Sequence, residues 1–488
     1  MKLLTELLPH QIQAIAKLRH VKVGALYMEM GTGKTRTALE LVNIRLEAGK
    51  VDHVLWLCPC SVKENLRRDI IKHTGSDQSD LITICGIETL SSSIRTNVRL
   101  LKLVQTKRCF LIVDESNLVK NHKAIRTKNI IRISEYCKYK LILNGTPISK
   151  CEKDLFAQWY ILDWRILGYR SFWSFAANHL EYDERVPGKI NRCLNTDYLV
   201  RKIAPYTYQI KKNECLNLPS KTYETKYYQL TNAQAKHYSQ VADALLFQVD
   251  ELEPYTIYRL FSGLQSVISG FRVDASRHPM MRDPFFRNPM DNPRMDLLFH
   301  LLNKIDEKVI VFCKYTKEIQ DIVSLANKKY GIGSTVAFYG ELSPRERQKS
   351  LKAFENDARI FVANKACAGY GLNLQFCSYV IYYSNDWDYA TRSQSEDRVH
   401  RLGQVDNVHI IDICAADTLD ERILKCLWRK ENLIDSFKKE IERQKDKESF
   451  MRSFVYVKST KGRQQVKNTH IERDEALKEL REHAEGIQ

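Results

Sequence analysis

The sequence predicts an α/β protein made of two parallel-sheet units with a helical segment between them. Short runs of β-branched and aromatic residues alternate with amphipathic stretches, and this alternation is typical of βαβ connections. The first series of runs reads ALYM from residue 25, VLWLC from 54, LITIC from 81, FLIV from 110 and LILNG from 141. The second reads VIVFC from 309, TVAFY from 335, RIFVAN from 359, YVIYY from 379 and VHIIDIC from 408. Because parallel strands need crossover connections, each series predicts one sheet covered by helices.

The chain length also predicts more than one domain. A chain of 488 residues exceeds what one hydrophobic core usually holds, so two or three domains are expected. We predict a first lobe at 1–150, a helical insertion with the linker between the lobes at 151–300, a second lobe at 301–425, and a charged helical tail at 426–488.

The insertion and the tail each allow two interpretations. The insertion carries a set of large aromatic residues, namely Trp159, Trp164, Phe172, Trp173 and Phe175. Their helical spacing favours a packed core, and stacking on exposed bases is the alternative. The tail from Lys438 to Lys467 is rich in Lys and Arg, which suits DNA binding, but its interspersed acids suit a solvated helix face equally well.

The charge of the chain favours a polyanionic partner. Lys and Arg number 76 against 59 Asp and Glu, which gives a formal net charge of +17. A positive surface attracts phosphates and releases their counterions, so nucleic acid is the expected partner. On charge alone, a basic protein that ignores nucleic acid remains an alternative.

Membrane and disulfide-rich classes are not favoured. No apolar run approaches the roughly 20 residues that a membrane span needs, and the N-terminus lacks the pattern of a signal peptide. The 13 cysteines are scattered without a C-x-x-C pair, so we expect them to be reduced and mostly buried. Together these features predict a cytoplasmic protein.

A phosphate-binding loop is the strongest motif in the sequence. MEMGTGKT lies between the predicted strand ALYM and the predicted helix TRTALELVNIRL, as a P-loop requires. Gly31 and Gly33 allow backbone N–H groups to converge on phosphate oxygens, Lys34 reaches the β and γ phosphates, and the Thr35 hydroxyl can ligate Mg²⁺. The predicted ATP contacts of this loop are Met28, Glu29, Met30, Gly31, Thr32, Gly33, Lys34, Thr35 and Arg36.

Two carboxylates follow a buried strand in the run FLIVDE. Asp114 and Glu115 are therefore expected at the carboxyl edge of the sheet, where ligands of such sheets bind. We expect Asp114 to hold the magnesium ion and Glu115 to orient and deprotonate the attacking water. Alone, such a pair more often belongs to a solvated loop, but the upstream P-loop favours the catalytic interpretation.

Further motifs resemble those of Swi/Snf-like ATPases of helicase superfamily 2, in the same order. The matching strings are LLPHQIQAI, an adenine-sensing Q motif around Gln11; LCPCSVKENL and GIETL, motifs Ia and Ib; DESNLVKNHKAIRTK, the Walker B region; LNGTPIS, motif III; KVIVFCKYT, motif IV; GYGLNL, motif V; QSEDRVHRLGQ, motif VI; and TLDERILKCLWRKENL, the helix that braces the lobes. The resemblance covers about residues 7 to 435 and implies two RecA-like lobes.

The resemblance also implies roles for particular residues. Arg398 and Arg401 of motif VI, three apart on a predicted helix, would be arginine fingers for ATP bound between the lobes at Lys34. The expected coupling residues are Asn117, where the family usually has His, and Gly145, Thr146, Gly371 and Gln394. The expected DNA contacts are Lys63, Thr89 and Lys314.

These features predict an ATP-dependent DNA translocase or helicase of the compact bacterial or phage type. We expect a DNA-stimulated ATPase that uses Mg²⁺ and acts on duplex or branched DNA, by fork regression or branch migration in replication, recombination or repair. The alternatives are a remodeller that displaces proteins from DNA, an RNA helicase and a nucleotide switch that does not hydrolyse ATP. The motifs leave the oligomeric state open, and a monomer is compatible with them.

Overall fold

The chain folds into two units in a computed structural model. The structure describes residues 1–145, 151–183, 188, 190–216, 218–249, 254–277, 279–364, 372–444, 446–456 and 467–468. Unit 1 comprises Met1–Asn217 with the short segment Tyr370–Leu372, and unit 2 comprises Leu218–Gly369 with Asn373–Gln488.

Unit 1 contains a six-stranded parallel sheet. Its spatial order is β3-β2-β4-β5-β1-β8, and all five pairings between neighbouring strands are parallel. The strands of unit 1 are β1 Val23–Met28, β2 His53–Cys58, β3 Ile82–Gly86, β4 Cys109–Val113, β5 Tyr139–Asn144, β6 Leu180–Tyr182, β7 Ile190–Cys193 and β8 Thr207–Ile210. β6 and β7 form a separate antiparallel hairpin.

Helices cover both faces of this sheet, because its central strands are apolar on both sides. They are α1 Pro9–Leu18, α2 Lys34–Glu47, α3 Lys63–Thr74, α4 Thr89–Ser92, α5 Ile94–Thr106, α6 Ile125–Ser134, α7 Lys153–Leu167, α8 Phe172–His179, α9 Thr196–Ile203 and α10 Lys212–Cys215, with 3-10 turns at Cys60–Val62, Ser116–Val119 and Ala204–Tyr206. Two buried apolar clusters result, one on each side of the sheet.

Unit 2 contains a second parallel sheet in the order β13-β14-β12-β15-β16-β9-β17. Its strands are β9 Lys221–Tyr228, β10 Phe271–Asp274, β11 Met281–Pro284, β12 Val309–Cys313, β13 Thr335–Phe338, β14 Ile360–Asn364, β15 Tyr379–Tyr382, β16 Val408–Ala415 and β17 Lys467–Asn468. Only β17 joins this sheet in antiparallel orientation among the described strands. β10 and β11 pair with each other as a hairpin.

The helices of unit 2 enclose one large apolar cluster. They are α11 Asn232–Leu246, α12 Pro254–Ile268, α13 Pro293–Leu302, α14 Thr316–Tyr330, α15 Pro344–Glu355, α16 Tyr389–Glu396, α17 Leu419–Trp428, α18 Leu433–Glu442 and α19 Lys447–Val455, with a 3-10 turn at Pro289–Asp291. α17 is the helix of the predicted brace, and it buries Leu419, Ile423 and Leu427 in this cluster.

The fold class predicted from the sequence is confirmed: each unit is built on a parallel sheet, and all ten predicted strands form. The segment 151–300, predicted to hold a helical insertion and the linker between the lobes, is divided between the units at residue 217. Its β8 extends the first sheet beside β1, and its β9 pairs with β16 in the second. The residues predicted to link the lobes therefore supply one strand to each sheet.

The aromatic residues of segment 151–300 form a core, as their spacing favoured. Trp159 and Phe175 are fully buried and Phe172 is buried. The indole Nε1 of Trp159 donates a hydrogen bond of 3.1 Å to the Tyr27 hydroxyl in β1, which fixes α7 against the sheet. Trp164 is only partly buried, and 71% of the surface of Trp173 is exposed.

The charged tail also packs in part. Phe437, Ile441 and Phe454 are buried against the core of unit 2. Phe261 of α12 packs against both Phe437 and Phe454, with ring centroids 5.2 and 5.8 Å away. The described part of the tail is therefore an integral layer of unit 2. None of the helices described is both long enough and apolar enough to cross a bilayer.

Candidate functional site

The strand order of unit 1 brings the predicted motifs to one edge of its sheet. The strands are parallel, so the segments that follow β1, β2, β3, β4 and β5 all leave at the carboxyl edge. These segments carry the P-loop, motif Ia, motif Ib, the carboxylate pair and Gly145 of motif III, respectively. β5 lies between β1 and β4, so the P-loop and the carboxylates flank the end of one strand.

The P-loop has the backbone conformation that its glycines permit. Gly31 and Gly33 have φ of 83° and 86°, a left-handed region that other residues adopt at a cost. α2 begins at Lys34 directly after the loop, so its unpaired N–H groups and the positive end of its dipole face the loop. The Lys34 ammonium donates to the Met28 carbonyl at 2.8 Å. Thr35 is partly exposed in the first turn of α2.

Two residues of α1 hold the P-loop from behind. His10 Nε2 lies 2.8 Å from the carbonyl oxygen of Thr32, and the Gln11 amide donates to the same oxygen at 3.2 Å. Both side chains are buried. A Cβ on Gly33 would lie 2.1 Å from Gln11 Nε2, so a larger residue would displace the Gln11 side chain from the loop. The resemblance singled out Gln11, whereas His10 was missed although the two are adjacent in the sequence.

Two residues predicted as ATP contacts have other partners. The Arg36 guanidinium donates to the Thr5 carbonyl at 2.9 Å and forms an ion pair with Glu40 at 2.7 Å. Glu29 accepts a 2.7 Å hydrogen bond from the backbone N–H of Lys212, which connects the P-loop to the start of α10. Arg36 is buried, and both residues support the loop from outside. Met28 is buried at the end of β1, and Met30 is partly exposed.

Asp114 and Glu115 form a strained and electrostatically unusual pair. Burial and the adjacent carboxylate of Glu115 raise the pKa of Asp114 to about 7, although the positive charge of Lys34 opposes this effect. Glu115 has φ of 47°, which is uncommon for a non-glycine residue and typical of functional sites. A hard cation prefers oxygen ligands, and it would favour the charged form of Asp114. The Thr35 hydroxyl and the Asp114 carboxylate thus fit Mg²⁺ as a donor set.

The carboxylate pair is connected to α7 by the 3-10 turn that follows it. Ser116 donates a 2.5 Å hydrogen bond to Gln158, and Lys120 pairs with Asp154 at 3.3 Å. Asn117 lies in the same turn, and its Oδ1 is buried with no hydrogen-bond partner among the described residues. The N–H of Gly145 donates to Asn144 Oδ1 at 2.8 Å. Thr146 and Gly371, also predicted to couple the site, lie outside the described residues.

Motifs Ia and Ib meet at the ends of β2 and β3. Lys63 begins α3 and Thr89 begins α4. The N–H of Cys60 donates to Glu88 Oε2 at 2.9 Å, and the Cys60 thiol lies 3.4 Å from the Thr89 hydroxyl. The two predicted DNA contacts Lys63 and Thr89 therefore lie on neighbouring loops of the same edge.

In unit 2, the prediction that the two arginines of motif VI lie on a helix is wrong. α16 ends at Glu396, and Arg398 and Arg401 lie in the turn that follows it. The helix ends because the N–H groups of Arg398 and Val399 bond three residues back, to the carbonyls of Ser395 and Glu396. Arg398 is buried, and Arg401 donates to the side chain of Asn373.

A buried network of charges anchors α16 to the second sheet. The Arg392 guanidinium donates to both oxygens of Asp412 in β16, at 2.6 and 3.0 Å, and to Glu396 at 2.8 Å. Lys221 of β9 pairs with the other oxygen of Glu396 at 2.9 Å. Although burial opposes the charge on Glu396, Lys221 and Arg392 lower its pKa to about 2. This network fixes the helix from which the arginine turn departs.

The far end of motif VI is held by two further hydrogen bonds. His400 Nε2 lies 2.8 Å from the carbonyl oxygen of Pro219. The Gln404 amide donates to the carbonyl of Cys377 at 2.9 Å. Gln394, a predicted coupling residue, is partly buried on α16. The turn that carries Arg398 and Arg401 is thus held at both ends by its own unit.

Lys314, predicted as a DNA contact, belongs to an internal cluster. Its ammonium lies 3.8 Å from the centroid of the Trp387 ring and 3.6 Å from Asp386. It also donates to Gln265, which in turn accepts a 2.7 Å hydrogen bond from Trp387. Burial lowers the pKa of Lys314 to about 8, against the effect of Asp386. Its side chain connects motif IV to α12 within unit 2.

Three family models match this chain. A SNF2-related domain matches residues 77–266, a helicase conserved C-terminal domain matches 293–403, and the res subunit of type III restriction enzymes matches 4–149. The matches fall on both units and include the carboxylate pair and motif VI.

Several known proteins are similar to this chain. An uncharacterized ATP-dependent helicase, YqhH of Bacillus subtilis, is 24% identical over 465 residues, which cover 89% of this chain and 80% of the relative. The DNA repair and recombination protein RAD54B of Homo sapiens is 25% identical over 508 residues, with 88% and 55% covered. Among solved structures, a Sulfolobus solfataricus SWI2/SNF2 ATPase core in complex with dsDNA is 22% identical, with 93% and 98% covered and a TM-score of 0.39.

The domains and the P-loop define a two-lobed ATPase of the helicase type. The chain contains an SNF2-related domain and a helicase conserved C-terminal domain, it is similar to ATP-dependent helicases, and it is an ATP hydrolase.

The charge network of α16 predicts a specific pH dependence of stability. Because the pKa of Glu396 is lower in the folded chain than in the unfolded chain, its contribution is present above about pH 4.5 and is lost as the pH falls towards 2. The lost stability is of order 3 kcal/mol. In urea unfolding from pH 7 to 3, Glu396→Gln should be less stable than the wild type at pH 7, and this difference should shrink with acid.

The matched control for this prediction is Glu307→Gln, which changes an exposed glutamate of the same unit. It should unfold like the wild type at every pH. Parallel pH profiles for the wild type and Glu396→Gln would show that the Glu396 charge does not stabilise unit 2.

Proposed function

We propose that this chain is an ATP-dependent DNA translocase that acts on branched DNA. The observation that carries its motor chemistry is the meeting of the P-loop and the Asp114–Glu115 pair at one edge of the first sheet. ATP would bind with its phosphates against the N–H groups at the start of α2. Lys34 would exchange its contact with the Met28 carbonyl for phosphate oxygens.

Each residue at this edge then has one role. Thr35 and Asp114 would hold Mg²⁺, which when bound supplies positive charge to the phosphates. Glu115 orients the attacking water and accepts its proton. His10 and Gln11 keep the loop in shape through the Thr32 carbonyl, and adenine recognition by Gln11 stays a prediction. Arg36 is not retained as an ATP contact, because its donors serve Thr5 and Glu40.

Two substitutions at this edge should separate binding from hydrolysis. Lys34→Ala should abolish ATP turnover, because the γ-phosphate loses its charged partner. Glu115→Gln should still bind ATP, since it removes only the base, and its turnover should fall at least about a hundredfold. Nucleotide binding is measured with a fluorescent ATP analogue and turnover by phosphate release.

Lys50→Ala and Glu135→Gln change exposed residues of unit 1 and serve as matched controls with normal turnover. Normal hydrolysis by Glu115→Gln would exclude Glu115 as the base.

The arginine turn of motif VI supplies the second part of the motor. We propose that the positive charges of Arg398 and Arg401 stabilise the negative charge that develops on the γ-phosphate during hydrolysis. Both arginines lie in a turn that the charge network of α16 and the Gln404 amide hold in place. A fixed guanidinium is effective because little reorganisation is needed when the charge develops.

Replacing either arginine should slow catalysis and spare the fold. Arg398→Ala and Arg401→Ala should each lower kcat at least about a hundredfold, as expected for a contact made only in the transition state. Circular dichroism and DNA binding should stay near the wild type. Arg429→Ala, an exposed arginine of the same unit, is the control. If both variants hydrolyse ATP at the normal rate, motif VI has another role.

DNA is the proposed track of this motor. The net charge of +17 favours phosphate contacts, which do not depend on base sequence. Lys63 and Thr89, at the carboxyl edge of the first sheet, are the candidate contacts. Trp173, exposed on α8 with the Lys123 ammonium 5.9 Å from its ring centroid, is a candidate for stacking on an unpaired base. The name of RAD54B, DNA repair and recombination protein, agrees with such a role.

Branched DNA fits this motor for an energetic reason. A motor that follows duplex phosphates cannot open a long helix cheaply, since each base-pair step lost costs about 1.4 kcal/mol of stacking. At a branch, every pair broken on one arm is replaced by a pair formed on another. Directed translocation with a small wedge is then sufficient, and fork regression or branch migration is the activity that follows.

The test compares two substrates of equal length. ATP-dependent conversion of a mobile four-way junction should exceed unwinding of a plain tailed duplex, and binding should weaken steeply with salt. Equal or better activity on the tailed duplex would contradict the branch preference. Stimulation of the ATPase by RNA alone would overturn the DNA assignment, and displacement of bound protein without junction conversion would favour a remodeller.

A further inference from the structure

Two cysteines and a glutamate converge in unit 1, at the start of α7. The potential ligand atoms of Cys151, Glu152 and Cys193 all lie within 4.8 Å of one another. Cys151 and Glu152 precede α7, and Cys193 ends β7, so the cluster joins two elements that are 42 residues apart. The Sγ atoms of the two cysteines lie 3.3 Å apart. All three residues are partly exposed, which leaves the cluster accessible from solvent.

The cluster has the electrostatics of a cation site. Although burial opposes it, hydrogen bonds from Cys193 and Thr196 lower the pKa of Glu152, so this carboxylate is charged at neutral pH. The Thr196 hydroxyl orients it with a 2.8 Å hydrogen bond. Burial, together with the hydrogen bonds to Glu152 and Cys151, raises the pKa of Cys193 to about 12. The carboxylate of Glu152 thus lies beside two sulfur atoms, and all three ligand atoms are within 4.8 Å of one another.

Backbone donors at the same place suit a metal-bound thiolate. The N–H of Lys153 donates to Cys151 Sγ at 3.4 Å. α7 begins at Lys153, so the positive end of its dipole faces Cys151 and Glu152. Such outer contacts fix the orientation of metal ligands and stabilise their charge.

We propose that Cys151, Glu152 and Cys193 bind a zinc ion. Two thiolates and one carboxylate are ligands that Zn²⁺ accepts, at about 2.3 Å for sulfur and 2.0–2.2 Å for oxygen, with water as the fourth ligand of a tetrahedron. Binding releases the two thiol protons to solvent. The ion fastens the β6–β7 hairpin to the start of α7, just after the LNGTPIS motif in the sequence. Its role is to stabilise this part of unit 1.

A disulfide is the competing outcome for the same two thiols. Its sulfur atoms would have to approach to about 2.05 Å, and it would make no use of Glu152. A divalent cation uses all three groups, and the cluster of three therefore favours a metal.

The test uses the full chain, reduced and stripped of metal with a chelator. Zn²⁺ is then titrated against a chromophoric chelator, and Co²⁺ is used in parallel as a spectroscopic probe. The wild type should bind about one Zn²⁺ per chain and give a thiolate-to-cobalt charge-transfer band. Cys151→Ser, Cys193→Ser and Glu152→Gln should each weaken Zn²⁺ binding at least about a hundredfold, and the cysteine variants should lose the band.

Cys215→Ser is the matched control, because Cys215 is a partly exposed cysteine of the same unit. It should bind Zn²⁺ like the wild type. Zn²⁺ should raise the Tm of the wild type and of Cys215→Ser, and leave the Tm of the Cys151→Ser/Cys193→Ser double variant unchanged. This readout does not depend on ATP or DNA.

Three results would overturn the proposal. The first is a wild-type chain that binds no Zn²⁺ at micromolar concentration. The second is a double cysteine variant that binds Zn²⁺ as tightly as the wild type. The third is a Cys151–Cys193 disulfide, identified by peptide mapping, in metal-free chain purified without reductant.

Discussion

The parallel order of the first sheet is the constraint on which the site depends. Parallel strands must all leave at one edge, and their crossover helices must return on the faces. β5 between β1 and β4 fixes how far the P-loop lies from the Asp114–Glu115 pair. This order places Lys34 near enough to Asp114 for its positive charge to lower the pKa of that carboxyl. The strand order therefore determines which loops, and so which side chains, are neighbours at the site.

The P-loop is held through the backbone carbonyl of Thr32 and the side-chain carboxylate of Glu29. The Thr32 carbonyl accepts from Gln11 and contacts His10, and Glu29 bonds to the start of α10. A loop fixed in this way presents its N–H groups to phosphate without reorganisation, which is the basis of electrostatic catalysis. Motif VI follows the same principle in unit 2, where a buried network holds α16 and leaves the arginine turn at its end.

The central strands and the P-loop could be predicted from the sequence because their signals are local. Buried parallel strands are continuous apolar runs, and the glycines of the loop have fixed spacing. β8 and β9 were assigned to an insertion because TYQI and KTYETKYY carry too many polar residues for such runs. The prediction of a helix at Arg398 and Arg401 was wrong because the end of α16 depends on turn hydrogen bonds. The spacing of the two arginines does not reveal these bonds.

Long-range partners account for most of what the sequence did not reveal. Glu396 meets Lys221 across 175 residues, and Lys314 meets Trp387 and Gln265 rather than solvent. No C-x-x-C motif predicts that Cys151 and Cys193 are close, since one precedes a helix and the other lies in a hairpin. Each of these groupings is created by the fold, so only the structure displays it.

The central claim, that the carboxyl edge of the first sheet binds the nucleotide, can be tested by hydrogen exchange. Amide exchange of the Glu115→Gln chain is followed by mass spectrometry with and without Mg²⁺ and ATP. We expect protection of residues 29–37 and of 114–118, and no change in the loops at the opposite edge, around residues 49–52 and 107–109. Protection at the opposite edge, or none in the P-loop at saturating ATP, would contradict this account.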